Sequence, residues 1–274
     1  MQVRPQCSPK ETKGMDSAEL RENYLIESLF ARGEARMTFS HIDRTIVGGI
    51  MPLDTPIKLW SAKPIGHDTF LAAREAGAMN IGGKGRVVVD GEVFDLEAKD
   101  LIYLSMGCQD VRFESLDPEN PARFYLVSSP AHAAIPTRVV RHADAKRIEI
   151  GKGSNRRVVF QYVNPDVAPS CQLSMGMTMV EDGGAWNTWP CHTHERRSEV
   201  YFYWNMAEDS LVMHFMGEPT ETRHIVVRDE QAVLCPAWSI HTGCGTGPYA
   251  FIWSMAGDNK DYADMDHCDL KTFR

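Results

Sequence analysis

In "WPCHTHERRSEVYFYW", Trp189–Trp204, His192 and His194 stand one residue apart, and Glu199 follows five residues past the second. Side chains alternate faces along a strand, so the two imidazoles share a face, and a turn over 195–198 would bring Glu199 beside them from the next strand. A fourth group lies further along. His241 ends "PAWSIH", a turn opened by Pro236 after the apolar run "QAVLC", 42 residues beyond Glu199. Three imidazoles and a carboxylate suit Zn, Fe, Mn or Ni, and ligand softness does not choose among them. A solvated polar loop would also accommodate HTHERRSE. The offset of Glu199 and the distal His241 favour a metal site instead, with His192, His194, Glu199 and His241 as ligands.

Strands must position these groups, and the chain is rich in strand signals. After about Thr38, short runs of Val, Ile, Tyr and Phe are punctuated by Gly, Pro and Asp: "RTIVGGIMP", "GRVVVDGEVFDL", "DLIYLS" and "ARFYLVSS" in the first half. The second half continues with "RRVVFQYV", "CQLSMGMTMV", "EVYFYW", "LVMHFMG", "TRHIVVRDEQAVLCP" and "YAFIWSM". Turn signals every eight to twelve residues mean a sandwich or barrel. Asp90-Gly91 between two such runs marks a hairpin. Before this region, residues 1–15 read as a loose arm, and Asp16 with Glu19 forms a capping box that predicts a short helix through "SAELRENYLIESLF". The stretch Pro130–Asn155 reads as the connection between halves.

Composition excludes several classes. A chain of 274 residues that is 43% hydrophobic is long enough for a large buried core. No window of about 18 apolar residues predicts a membrane span, and the first residues lack the apolar segment of a secretory signal. Seven scattered cysteines without a CxxC pair suit a reducing cytoplasm. A net charge of −8 argues against nucleic acid, and an acidic ligand would have to be met by local arginines.

The halves resemble each other. Aligned without gaps, "DLIYLSMGCQD" (100–110) sets Ser105 against Pro236, Gly107 against Trp238 and Asp110 against His241 in "QAVLCPAWSIH" (231–241). Two copies of one barrel are expected, only the second equipped with histidine. The metal pattern resembles the cupin superfamily, whose first motif is HxH, three or four residues, then Glu, and whose second is PxGxxH. Longer strings, "SHIDRTIVGGIMP", "SCQLSMG", "PCHTHERRSEVYFY", "ETRHIVVRDEQAV" and "DMDH", are similar to the 5-keto-4-deoxyuronate isomerases (4-deoxy-L-threo-5-hexosulose-uronate ketol-isomerases) over nearly the whole chain. That resemblance implies an all-β, two-cupin (double jelly-roll) subunit with a short N-terminal helix. It also implies one Zn2+ in the C-terminal barrel, held by the same four residues, and a homohexamer acting on a small uronate. The expected division is an arm and helix over 1–37, a metal-free barrel over 38–135 and a metal-binding barrel over 136–274.

The implied reaction moves a proton from C2 to C1 of an open-chain uronate through an enediol. It needs a Lewis acid and a base. Candidate bases are Tyr201 and Tyr203, on Glu199's face, together with His224 and His41; Glu195 and Asp43 are weaker candidates, and a metal-bound hydroxide is another. Arg196, Arg197 and Arg223, nearest in sequence to the ligands, are candidates for the substrate carboxylate, since a guanidinium fork matches two oxygens. Two other functions fit the ligand set: an iron dioxygenase, and a non-catalytic sugar-acid-binding cupin.

Overall fold

The computed structural model describes residues 1–258 and 261–274. The strands form two large sheets of one plan. The first runs Gln2–Arg4, Glu34–Ser40, Ile46–Met51, Phe124–Pro130, Arg74–Asn80, Leu101–Leu104, Arg138–Val140. The other runs Lys146–Ile150, Arg157–Val163, Ser174–Val180, Tyr249–Gly257, Arg197–Trp204, Gln231–Cys235, Leu25–Ile26. A four-stranded sheet completes each jelly roll: Ile57–Lys58, Val111–Ser115, Gly85–Val89 and Glu92–Leu96 in the first, and Trp186–Asn187, Thr242–Gly245, Val212–Glu218 and Glu221–Val227 in the second. Inward residues such as Phe39, Ile50, Ala76, Phe113 and Phe124 fill the first core. No described helix is long and apolar enough to cross a membrane.

The repeat visible in eleven residues extends to the ladder. Ala76 pairs with Leu104 in the first unit and Glu199 with Cys235 in the second, while Leu104 and Cys235 are equivalent in the sequence repeat. Ala76 therefore stands where the second unit has Glu199. Two residues earlier, Arg74 and Arg197 are also equivalent. Both are buried, and both donate to main-chain carbonyls.

The N-terminal segment departs from expectation. Residues 1–15 are not a loose arm: Gln2–Arg4 runs parallel to Glu34–Ser40, and Pro9–Lys13 is a helix with its own capping box from Ser8 and Glu11. The helix capped by Asp16 and Glu19 stops at Tyr24, short of the expected end. Leu25 and Ile26 are recruited as an edge strand against Val233 and Ala232, and pairing of two fully buried apolar residues outweighs one more helical turn. One compact unit comprises Met1–Arg4, Ser28–Ala145 and Tyr162–Ser174; the other comprises Pro5–Glu27, Lys146–Gln161 and Met175–Arg274. Part of the supposed connection forms edge strands, Arg138–Val140 in the first unit and Lys146–Ile150 in the second, and the chain passes between the units at several points rather than at one boundary. The Asp90-Gly91 hairpin is as expected: Val89 faces Glu92, and both turn residues have positive φ, 48° and 91°.

Candidate metal centre

Three short pieces of the second unit converge. His192–Thr193 is a two-residue strand paired with Asp266–His267, and His194 follows it directly. Glu199 lies on Arg197–Trp204, past the turn that the sequence implied. His241 sits between Gln231–Cys235 and Thr242–Gly245. All four side chains are buried, and their ligand atoms lie within 4.8 Å of one another.

The hydrogen-bond pattern shows what this cluster requires. The carbonyl of Asp264 lies 2.8 Å from His194 Nδ1, and that of Ser239 lies 3.3 Å from His241 Nδ1. A carbonyl only accepts, so both imidazoles carry the proton on Nδ1 and turn a bare Nε2 inward. Those nitrogens meet Glu199 Oε2 at 3.2 and 3.0 Å, and His192 Nε2 lies 3.2 Å from each of them. Lone pairs facing one another at this range repel unless a cation lies among them. Ligands about 2.0–2.1 Å from a tetrahedral ion would sit roughly 3.3 Å apart, close to the four neighbouring separations of 3.0–3.2 Å, and with all four atoms within 4.8 Å of one another the group could hold a metal ion. Burial pushes His192 down to about 2, reinforced by His241 and His194, which keeps its nitrogen free to ligate. Burial alone would raise Glu199; positive charge at His241 and His194 outweighs it and holds the carboxyl below its ordinary range, and with those rings neutral a bound cation takes that part.

The ligands open onto a cavity of about 280 Å³. Its floor is one face of the seven-stranded sheet, because alternation sends every second residue inward: Arg157 and Val159, then Thr178, then Trp253 and Met255, then Glu199 and Tyr201. Gly176 allows this packing, since a Cβ there would lie 2.1 Å from the Trp253 ring. The C-terminal segment supplies the wall with Tyr262, Met265 and His267.

The site residues anticipated from sequence fall into three groups. The four residues expected to ligate a metal come together. Tyr201 lines the cavity, with its hydroxyl 2.7 Å from Thr188 Oγ1, and burial raises it well above the ordinary tyrosine range. Tyr203 points past the cavity to His214 Nδ1 at 2.7 Å, His224 is exposed on Glu221–Val227, and His41 is exposed in the first unit; none of the three is a lining residue. The arginines have other partners. Arg196 is exposed and bound to Asp264 and Asp266. Arg197 is buried and donates to the carbonyls of Asp261, Tyr262 and Asp264. Arg223 pairs with Glu221 and donates to the Lys13 carbonyl. Arg196 and Arg197 thus staple down the segment that walls the cavity. Glu195 is exposed, its amide donating to Asp266, and Asp110 is ion-paired with Lys58 and Arg112.

Three titratable cavity residues escaped the sequence reading: Arg157, Tyr262 and His267. "DMDH" had been noticed as a string, but nothing in its spacing marks His267. Arg157 lies in "RRVVFQYV", where most positions are apolar and no alternation reveals the inward face.

Comparison with known proteins agrees with this geometry. The chain is 49% identical over 276 residues to the 4-deoxy-L-threo-5-hexosulose-uronate ketol-isomerase of Lachnoclostridium phytofermentans, covering 100% of both. It is 49% identical over 278 residues to that of Dickeya dadantii, again with 100% of both covered. Among solved structures, an IolB-like protein from Salmonella typhimurium superposes with a TM-score of 0.71 at 13% identity, over 90% of this chain and 97% of that one. Bacillus subtilis oxalate decarboxylase superposes at 0.63 and 14% identity, over 89% and 79%. These distant likenesses establish the cupin-like fold. The KduI/IolB family model matches residues 24–271, and with relatives of this identity along its full length the chain belongs to the KduI/IolB family.

Proposed function

We propose that the chain is a zinc-dependent ketol-isomerase that converts 5-dehydro-4-deoxy-D-glucuronate to 3-deoxy-D-glycero-2,5-hexodiulosonate in the breakdown of pectin and related polyuronates. The observation that carries this is the cluster of His192, His194, Glu199 and His241, with inward lone pairs at 3.0–3.2 Å, opening onto a cavity of small-sugar size. What a divalent ion supplies there is Lewis-acid polarisation of adjacent substrate oxygens. The chain's own groups do the rest. Tyr201, held protonated by burial, serves as a hydrogen-bond donor and not as a base at neutral pH. The imidazole of His267, in the cavity but outside the ligand set, is suited by type to carry the proton between C2 and C1. Trp253 and Met255 keep the floor apolar and shield the enediol from water. A cytoplasmic location agrees with seven free thiols, and a homohexamer is part of the same reading.

The test is to incubate the zinc-loaded protein without oxygen with freshly lyased unsaturated digalacturonate in D2O, following C1 and C2 by NMR. Loss of the aldehyde signal with formation of the C2 ketone is expected. An unchanged substrate refutes the isomerase; turnover that requires and consumes oxygen points to the dioxygenase.

A further inference from the structure

We propose that Arg157 binds the substrate carboxylate and makes this site prefer acids to neutral sugars. The inference rests on the isomerase reading and names the anchor for the end of the substrate remote from the metal. Arg157 is the one lysine or arginine among the described residues that line the cavity. Among the described residues its guanidinium has no acidic partner. Nη1 donates to Asn155 O at 2.9 Å and to Asn155 Oδ1 at 2.7 Å, and the titratable groups that act on it, the hydroxyls of Tyr262, Tyr201 and Tyr249, are raised by burial and carry no charge at neutral pH. A half-buried cation without a counter-charge is costly to keep, and an anionic ligand removes the cost.

The position suits a substrate held at both ends. Arg157 and Glu199 face the same cavity from strands three steps apart in the sheet, with Ser174–Val180 and Tyr249–Gly257 between them. Three strand spacings put about 14 Å between their strands across the sheet. With a long arginine reaching in from one side and the ligand cluster from the other, the remaining gap suits a six-carbon chain, C1 and C2 at the metal and C6 at the guanidinium. Thr178 and Trp253 lie on the floor between. The other arginines are spoken for, since Arg196, Arg197 and Arg223 are all committed to partners in the fold. With a net charge of −8 the overall field repels a carboxylate, so one local cation has a large effect.

The experiment uses the zinc-loaded full chain and the variants Arg157→Met and Arg157→Lys, with folding and zinc content checked for each. Binding of glucuronate and of the neutral glucuronamide is measured by calorimetry or saturation-transfer NMR, alongside KM and kcat for the uronate. Wild type is expected to prefer glucuronate, and Arg157→Met to bind the two alike. KM for the uronate should rise about 10- to 100-fold with kcat within a few-fold, because the contact is made equally in ground and transition states. Arg157→Lys should recover part of the preference. Retention of the wild-type preference and KM in Arg157→Met overturns the proposal, as does an equal loss for both ligands. If wild type prefers glucuronate through Arg157 but never turns over the uronate, the isomerase reading falls and the anion site stands. If Arg157→Met isomerises with unchanged KM, the anion site falls and the isomerase stands.

Discussion

Replacing His241 with Ala should uncouple the second unit's stability from metal. The flanking strands keep their own ladders, Gln231–Cys235 with Arg197–Trp204 and Thr242–Gly245 with Val212–Glu218, so the fold survives the change. What is lost is one of the four proposed ligand atoms, Nε2 of His241, 3.0 Å from Glu199 Oε2 and 3.2 Å from His192 Nε2. At free zinc a thousandfold above the dissociation constant, linkage adds about 4 kcal/mol to the folded state. For a unit of this size that is roughly 10 °C between zinc-loaded and chelated wild type. Losing an imidazole ligand should weaken the site at least a hundredfold, the upper end of what lost supporting contacts cost elsewhere. At the same free zinc the linkage then falls to about 1.4 kcal/mol and the shift to roughly 4 °C. Calorimetry with buffered zinc and with chelator, on both proteins, reads the difference directly, and metal analysis by mass spectrometry accompanies it. If zinc raises the variant's midpoint as far as it raises wild type, His241 is not a ligand and the reasoning from inward lone pairs fails.

Glu199→Gln keeps an oxygen donor but loses the charge between His194 and His241, so partial zinc occupancy at saturating metal and a weaker affinity are expected by competition with a chelating dye; unaltered affinity would count against Glu199 as a ligand. Asp110→Ala should leave zinc content at the wild-type value, since that carboxylate is engaged with Lys58 and Arg112; loss of an equivalent would assign a metal to the first unit. Arg197→Met removes a buried guanidinium that donates to three part-buried carbonyls and should cost about 1–3 kcal/mol in urea unfolding, while Arg196→Met, at an exposed pair, should leave the midpoint nearly unchanged. The opposite ranking would show that the wall is held from outside.

The cluster of His192, His194, Glu199 and His241 was legible in the sequence because it obeys local rules. Alternation puts His192 and His194 on one side, a short turn returns Glu199, and a strand followed by a proline turn presents His241. The hairpin at Asp90-Gly91 and the long strands were legible for the same reason: β-branched and aromatic runs carry their own period. The sequence left the rest open. Leu25–Ile26 and Gln2–Arg4 are too short to show a period, and their pairing depends on exposed sheet edges far along the chain. An arginine has one chemistry whether it staples a wall or meets a ligand. Which of these Arg196, Arg197 and Arg157 does is decided by what surrounds each: carboxylates and carbonyls of residues 261–266 for the first two, and for the third a cavity whose one carboxylate among the described lining residues, Glu199, belongs to the proposed metal site. His267 enters that cavity only because Asp266–His267 pairs with His192–Thr193 across 75 residues of chain, a contact set by tertiary folding and invisible to any local pattern.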